Sequence, residues 1–142
     1  SLRMACEHAD KIASVQSLAG AMFLIAEDHE PTEPVHVLQV HGTEDKIIKY
    51  DGGIFRAGQY PSARKTVEMW AKYNGCTMVP KQKGTIDLVK NVEGEDTTVL
   101  CFENQETKKV SELWTIHGGS HGPRFNYSYS PRIIDWLLSH RK

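Results

Sequence analysis

Two short apolar runs each pass straight into a glycine-bearing polar segment. Val35-His36-Val37-Leu38-Gln39-Val40 is β-branched and nearly continuous in apolar character. That pattern suits a parallel strand covered on both faces. It leads into His41-Gly42-Thr43-Glu44-Asp45. Residues 110–116 predict a similar strand, followed by His117-Gly118-Gly119-Ser120-His121-Gly122. Between the two, Ala63, Val67, Trp70 and Ala71 recur at helical spacing, with Arg64, Lys65, Glu68 and Lys72 on the opposite face. Ser62 can cap that helix and Asn74-Gly75 ends it.

The other elements are shorter. Residues 2–9 read as the end of a helix and 12–18 as a short buried strand closed by Ala19-Gly20. Residues 26–34 are polar with two prolines and form a surface connection, and 49–61, holding Gly52, Gly53, Gly58 and Pro61, form a loop. Strands over 85–89 and 97–102 are expected to make a hairpin around Gly94-Glu95-Asp96. Residues 118–130 form a Gly- and Tyr-rich loop. A last helix is expected with Ser130 as cap and Pro131 at its first position. Its apolar face would be Ile133, Ile134, Leu137 and Leu138, with Trp136 beside it. Strands alternating with helices predict an α/β layered fold with a mostly parallel sheet, flanking helices and a small β-hairpin excursion.

Composition narrows the function classes. The 142 residues suit one domain, and 17 basic residues against 18 acidic give a net charge of −1. That balance offers no basic footprint for nucleic acid and no polybasic surface for membranes. The opening Ser1-Leu2-Arg3-Met4-Ala5-Cys6-Glu7 reads as mid-helix without a cap, so a truncated start is expected. Three cysteines leave one unpaired at most pairings: Cys76 and Cys101 are either a disulfide or separate thiols, and Cys6 is left over.

Chemistry gathers on the two strand-end loops, where α/β sheets carry their sites. Asp45 would orient a histidine by accepting its Nδ1–H, and His121 would act as general base through Nε2. The bland alternatives are an Asp that closes a turn and one of seven histidines in a loop. Glu44 is the rival carboxylate. His117 and His41 are rival histidines, more readily explained by packing or a backbone hydrogen bond. A zinc set of His117, His121 and Asp45 or His41 is disfavoured, because Gly-Gly-Ser between the histidines argues against the helix that such spacing needs. Trp70 and Trp136 read as core. Phe125, Tyr127 and Tyr129 either line a substrate groove or pack the loop.

The ordered pieces resemble the C-terminal portion of the polyhydroxybutyrate depolymerase-like and feruloyl esterase-like esterases, a bacterial, usually exported branch of the α/β-hydrolases. Residues 2–13 look like the helix after the nucleophile elbow, and Leu18-Ala19-Gly20-Ala21-Met22 like the next strand end. His41-Gly42-Thr43-Glu44-Asp45 with Tyr50-Asp51-Gly52-Gly53 is similar to the acid loop, and residues 62–76 to the helix after it. Glu112-Leu113-Trp114-Thr115-Ile116 with Gly118-Gly119-Ser120-His121 is similar to the histidine segment. Gly122-Pro123-Arg124-Phe125 and Lys49 depart from the family at the rim of the site.

The resemblance implies that residues 1–142 are the C-terminal fragment of a single α/β-hydrolase domain. The nucleophile-bearing N-terminal half would be missing, and the chain is expected to hold no G-x-S-x-G. The intact protein would be a serine carboxylic ester hydrolase, secreted or periplasmic, acting on a small or polymeric ester without cofactor or metal. Asp45 and His121 inherit the acid and base roles, and Cys76 and Cys101 the family's cysteine pair. Without a nucleophile the fragment is expected to be inactive alone. The alternative from another class is a small non-catalytic α/β binding domain with structural His and Asp.

Overall fold

The two apolar runs become neighbouring strands. The computed structural model describes residues 1–22, 30–55 and 58–142. In chain order these hold α1 (Leu2–Glu7), β1 (Ser14–Leu18), β2 (His36–Gly42), β3 (Gly53–Phe55), β4 (Gly58–Tyr60), α2 (Ala63–Tyr73), β5 (Lys81–Ile86), β6 (Thr97–Glu103), β7 (Val110–Ile116) and α3 (Tyr129–Ser139). Among the described residues no helix is long and apolar enough to cross a membrane. The connection expected over 26–34 lies partly outside the described residues.

Five strands form one sheet in the order β1-β2-β7-β6-β5. β1 pairs parallel with β2 and β2 parallel with β7, whereas β7–β6 and β6–β5 are antiparallel. The α/β architecture is present, but the sheet is mixed and not mostly parallel. The reason lies in the connections. Parallel neighbours need a long crossover, while a short turn joins antiparallel ones. Residues 104–109 make such a turn between β6 and β7. Asn104 Oδ1 accepts the amides of Glu106 and Thr107, and Lys108 takes a positive φ of 60°.

β2 is buried along its whole length and β7 at all but one position, as expected for central strands. On one face, α1 packs with Val35, Val37 and Trp70 of α2, and α2 also covers Phe102 and Leu113. The other face gathers Leu38, Val40, Trp114 and Ile116 under Trp136 of α3. α2 follows its sequence pattern closely. Ser62 Oγ accepts the Lys65 amide at 3.0 Å, and Gly75, with φ 62°, ends the turn.

Further expectations are corrected. The outer strand β5 occupies 81–86, not 85–89, because Asp96 draws the Leu88 and Val89 amides onto its carboxylate and turns both apolar side chains into the core. The expected loop over 49–61 contains the small β3–β4 hairpin. α3 begins at Tyr129, since Asn126 Oδ1 accepts the Ser128 amide and starts the turn before Ser130. Ile133 and Leu137 of the expected face pack against the core beside the buried Trp136, while Ile134 and Leu138 are 54% and 55% exposed, so the inward face is rotated from the expected one.

A last correction concerns the cysteine pair. All three cysteines are free. Cys76 belongs to the α2-side cluster with Phe102, whereas Cys101 joins the α3-side cluster with Trp114. Adjacent residues of a strand point to opposite faces. Cys101 therefore faces away from Phe102 and from Cys76, and no bond spans the sheet between them.

Candidate active site

β2 and β7 run parallel with Gly42 opposite Ile116, so their carboxyl ends open side by side. The two loops that leave these ends are stitched together by backbone. The Thr43 amide donates to the Ile116 carbonyl at 3.0 Å, and the Glu44 amide to Gly119 at 2.9 Å. The Gly118 amide donates to Thr43 Oγ1 at 2.8 Å. Such close approach favours glycine on both sides: a Cβ on Gly42 would strike the Gly119 carbonyl, and one on Gly119 would stand 3.1 Å from Gly42 Cα and 2.7 Å from Ile116 Cγ2 of its own segment.

This stitching brings together residues 76 positions apart. His121 Nδ1 lies 2.8 Å from Asp45 Oδ2. The Asp45 side chain is fully buried, and that of His121 is 40% exposed. Asp45 Oδ1 accepts the Ile47 and Ile48 amides at 2.8 and 2.9 Å, an arrangement that closes the turn and aims Oδ2 outward from it. Burial alone would push the Asp45 carboxyl up. The bonds from His121 and from the two amides, with the His121 charge, outweigh burial and hold it below its ordinary range. An ionised carboxylate only accepts, so His121 donates from Nδ1. In the neutral ring Nε2 is then the nitrogen with the free lone pair, the one a general base uses.

The rival residues go elsewhere. Glu44 is exposed. His117 Nε2 bonds Thr98 Oγ1 at 2.7 Å, so the two histidines of the expected i, i+4 pair have different partners. Phe125 stacks on Tyr129, with ring centres 3.6 Å apart, and packs the loop, while Tyr127 is 93% exposed. Trp70 and Trp136 are core, as read from sequence. An open cleft of about 320 Å³ beside the acid loop is lined by Thr43, Glu44, Asp45, Lys46, Lys49 and Tyr50, among others.

Two readings of the sequence need correcting. The expected absence of G-x-S-x-G fails letter by letter, because Gly118-Gly119-Ser120-His121-Gly122 satisfies it. It leaves β7 through a loop, and the next helix starts only at Tyr129. An elbow serine sits on a sharp strand-to-helix turn; Ser120 does not. The second is His41, expected only to pack or to bond backbone. Its Nε2 does meet the Ile48 carbonyl at 2.7 Å, but it also lies 3.3 Å from Asp45 Oδ2. The spacing His41-x-x-x-Asp45 was the available signal.

A mixed α/β sheet with a buried carboxylate and a half-exposed imidazole paired at adjacent strand ends defines the class: an α/β domain carrying an Asp–His dyad. No protein-family model matches the chain. It is 31% identical over 127 residues to "Feruloyl esterase B" of Piromyces equi, covering 82% of this chain and 21% of that protein. It is 25% identical over 146 residues to "Putative esterase NocK" of Nocardia uniformis subsp. tsuyamanensis, covering 94% of this chain and 42% of that protein. The chain thus spans less than half the length of either relative. Their shared esterase names suggest carboxylic ester hydrolases as the family-level relation.

Proposed function

We propose that residues 1–142 are the C-terminal portion of an α/β-hydrolase domain whose intact form is a serine carboxylesterase of the feruloyl esterase or polyhydroxybutyrate depolymerase kind. Asp45 orients His121. His121 takes the proton of a serine supplied by the part of the domain outside this chain, then returns it to the leaving alcohol. Water repeats the cycle to release the acid. The single observation that carries this reading is the 2.8 Å bond between His121 Nδ1 and the buried Asp45 carboxylate, on loops beyond neighbouring strands. The name of the Piromyces relative makes feruloyl esters the first substrates to try, with polyhydroxyalkanoates and short acetates beside them. An exported setting belongs to the same proposal.

The test uses the full-length protein with p-nitrophenyl and feruloyl esters. His121→Ala and Asp45→Asn are each expected to lower kcat by about 10³-fold or more, by analogy with hydrolase triads. The melting temperature of each variant shows that the fold survives. A folded His121→Ala enzyme with undiminished kcat would remove His121 from the chemistry and favour the non-catalytic binding domain.

A further inference from the structure

A chain of buried polar groups leads from the end of β1 to the dyad. Gln39 and His41 stand two positions apart on β2, on the face turned toward α2, and both are buried. Gln39 Nε2 lies 2.7 Å from the Gly20 carbonyl oxygen and 3.2 Å from His41 Nδ1. A carbonyl oxygen can only accept, so Gly20 decides which end of the amide faces it: the nitrogen. That leaves Gln39 Oε1 buried without a partner among the described residues. Reversing the amide would set two acceptor oxygens 2.7 Å apart, a worse arrangement.

The amide then fixes the imidazole. Gln39 presents N–H to His41 Nδ1, so Nδ1 must accept and the ring proton sits on Nε2. From there it faces the Ile48 carbonyl at 2.7 Å and Asp45 Oδ2 at 3.3 Å. A charged ring would turn a second N–H onto the Gln39 amino group, with no acceptor for it. Burial independently holds the His41 pKa below its ordinary value, which keeps the ring neutral.

We propose that His41 is a positioning residue for the dyad: as a neutral Nε2–H imidazole, with its tautomer set by Gln39 and Gly20, it braces the Asp45 carboxylate toward His121. The Ile48 peptide is held on both sides, its N–H by Asp45 Oδ1 and its carbonyl by His41. Asp45 Oδ2 faces two imidazoles, one braced inside the fold and one half exposed. The turn amides hold Oδ1, and Oδ2 stands between His121 at 2.8 Å and the inner imidazole at 3.3 Å. The catalytic consequence rests on the esterase reading above, whereas the tautomer and the brace do not.

The experiment therefore has a spectroscopic and a kinetic arm, both on the full-length protein. In a histidine ¹⁵N spectrum at neutral pH, His41 is expected to show a protonated Nε2 and a bare Nδ1; a proton on Nδ1, or a charged ring, would overturn the proposal. His41→Phe keeps the ring volume and removes both nitrogens. It is expected to lower kcat about tenfold or more, with KM changed by less than about twofold, and to expose the His121 Nδ1–H resonance to solvent exchange. His41→Gln, which returns an N–H near the Nε2 position, is expected to recover most of kcat and that resonance. A folded His41→Phe enzyme with unchanged kcat and an intact His121 resonance would show that His41 only packs. Should His41→Phe not fold, the wild-type tautomer and the His41→Gln variant still decide. Should the wild-type protein cleave no ester, the functional reading fails, and the two resonances still judge the brace.

Discussion

Gly42 carries no chemistry, yet the dyad depends on its missing side chain. Sequence reading attached reach to the glycines around His121: short side chains let the imidazole extend. The structure divides their roles. Gly118 supplies a positive φ of 73°, while Gly42 and Gly119 permit contact between the two loops. Gly42→Ala is predicted to force the loops apart, with a loss of roughly 1–3 kcal/mol in stability, as for other overpacked sites. A fall in kcat should accompany it, because Asp45 and His121 sit on opposite sides of the contact. Gly122 has open space around its Cα, so Gly122→Ala should stay within about 0.5 kcal/mol of wild type in urea unfolding. Equal stability of Gly42→Ala and wild type would refute the contact. Asp45 and His121 could be chosen from sequence because of residue type and place; the contact glycines could not, since their partners lie on another strand.

The elements differ in how legible they are for a reason that α2 and α3 make plain. α2 has an amphipathic stripe, a serine cap and a glycine stop, all within residues 62–75, and each is observed. α3 has as strong a periodicity but settles in another rotation. Glu112 of β7, with its side chain among the apolar groups under that helix, accepts the indole N–H of Trp136 at 2.9 Å and of Trp114 at 3.1 Å. Satisfying two buried indoles turns Trp136 inward and leaves Ile134 and Leu138 outside. Glu112→Ala strands both donors, each costing about 1–3 kcal/mol. We predict a stability loss of about 2–6 kcal/mol in denaturant unfolding and a changed tryptophan emission. Glu112→Gln keeps an acceptor and should lose less. Indifference to Glu112→Ala would mean that the apolar face alone docks the helix.

Over the whole molecule, buried imidazoles set the response to acid. His36, packed against His140 and donated to by the Val110 amide, is pushed from 6.5 down to about 4 by burial, with Lys109 and His140 adding to the shift. His41 is lowered by burial as well. In the unfolded chain these rings take up protons as pH falls below about 6.5, while in the folded protein they stay neutral. The unfolded state then binds more protons, and stability declines as pH drops. For His36 the decline runs from 6.5 to about 4. Asp45 has the other pattern: its contribution is present above 3.8 and is lost as pH falls through its lower folded value. The melting temperature of the full-length protein should thus drop from pH 6.5 toward 4, and His36→Asn should flatten that slope. An unchanged slope in the variant would remove His36 from the account.

Sequence alone determined the local pieces: two buried strands ending in polar loops, the capped helix α2, and a carboxylate and an imidazole placed where strand-end chemistry occurs. Those signals repeat every two to four residues and need no knowledge of the rest of the chain. Tertiary structure decided that β2 and β7, far apart in sequence, are neighbours, and so that Asp45 meets His121. It also put Cys76 and Cys101 on opposite faces, rotated α3, and set His41 behind the carboxylate. Strand order and the facing of side chains across it come from the joint burial of all layers, and no short window of residues carries that information.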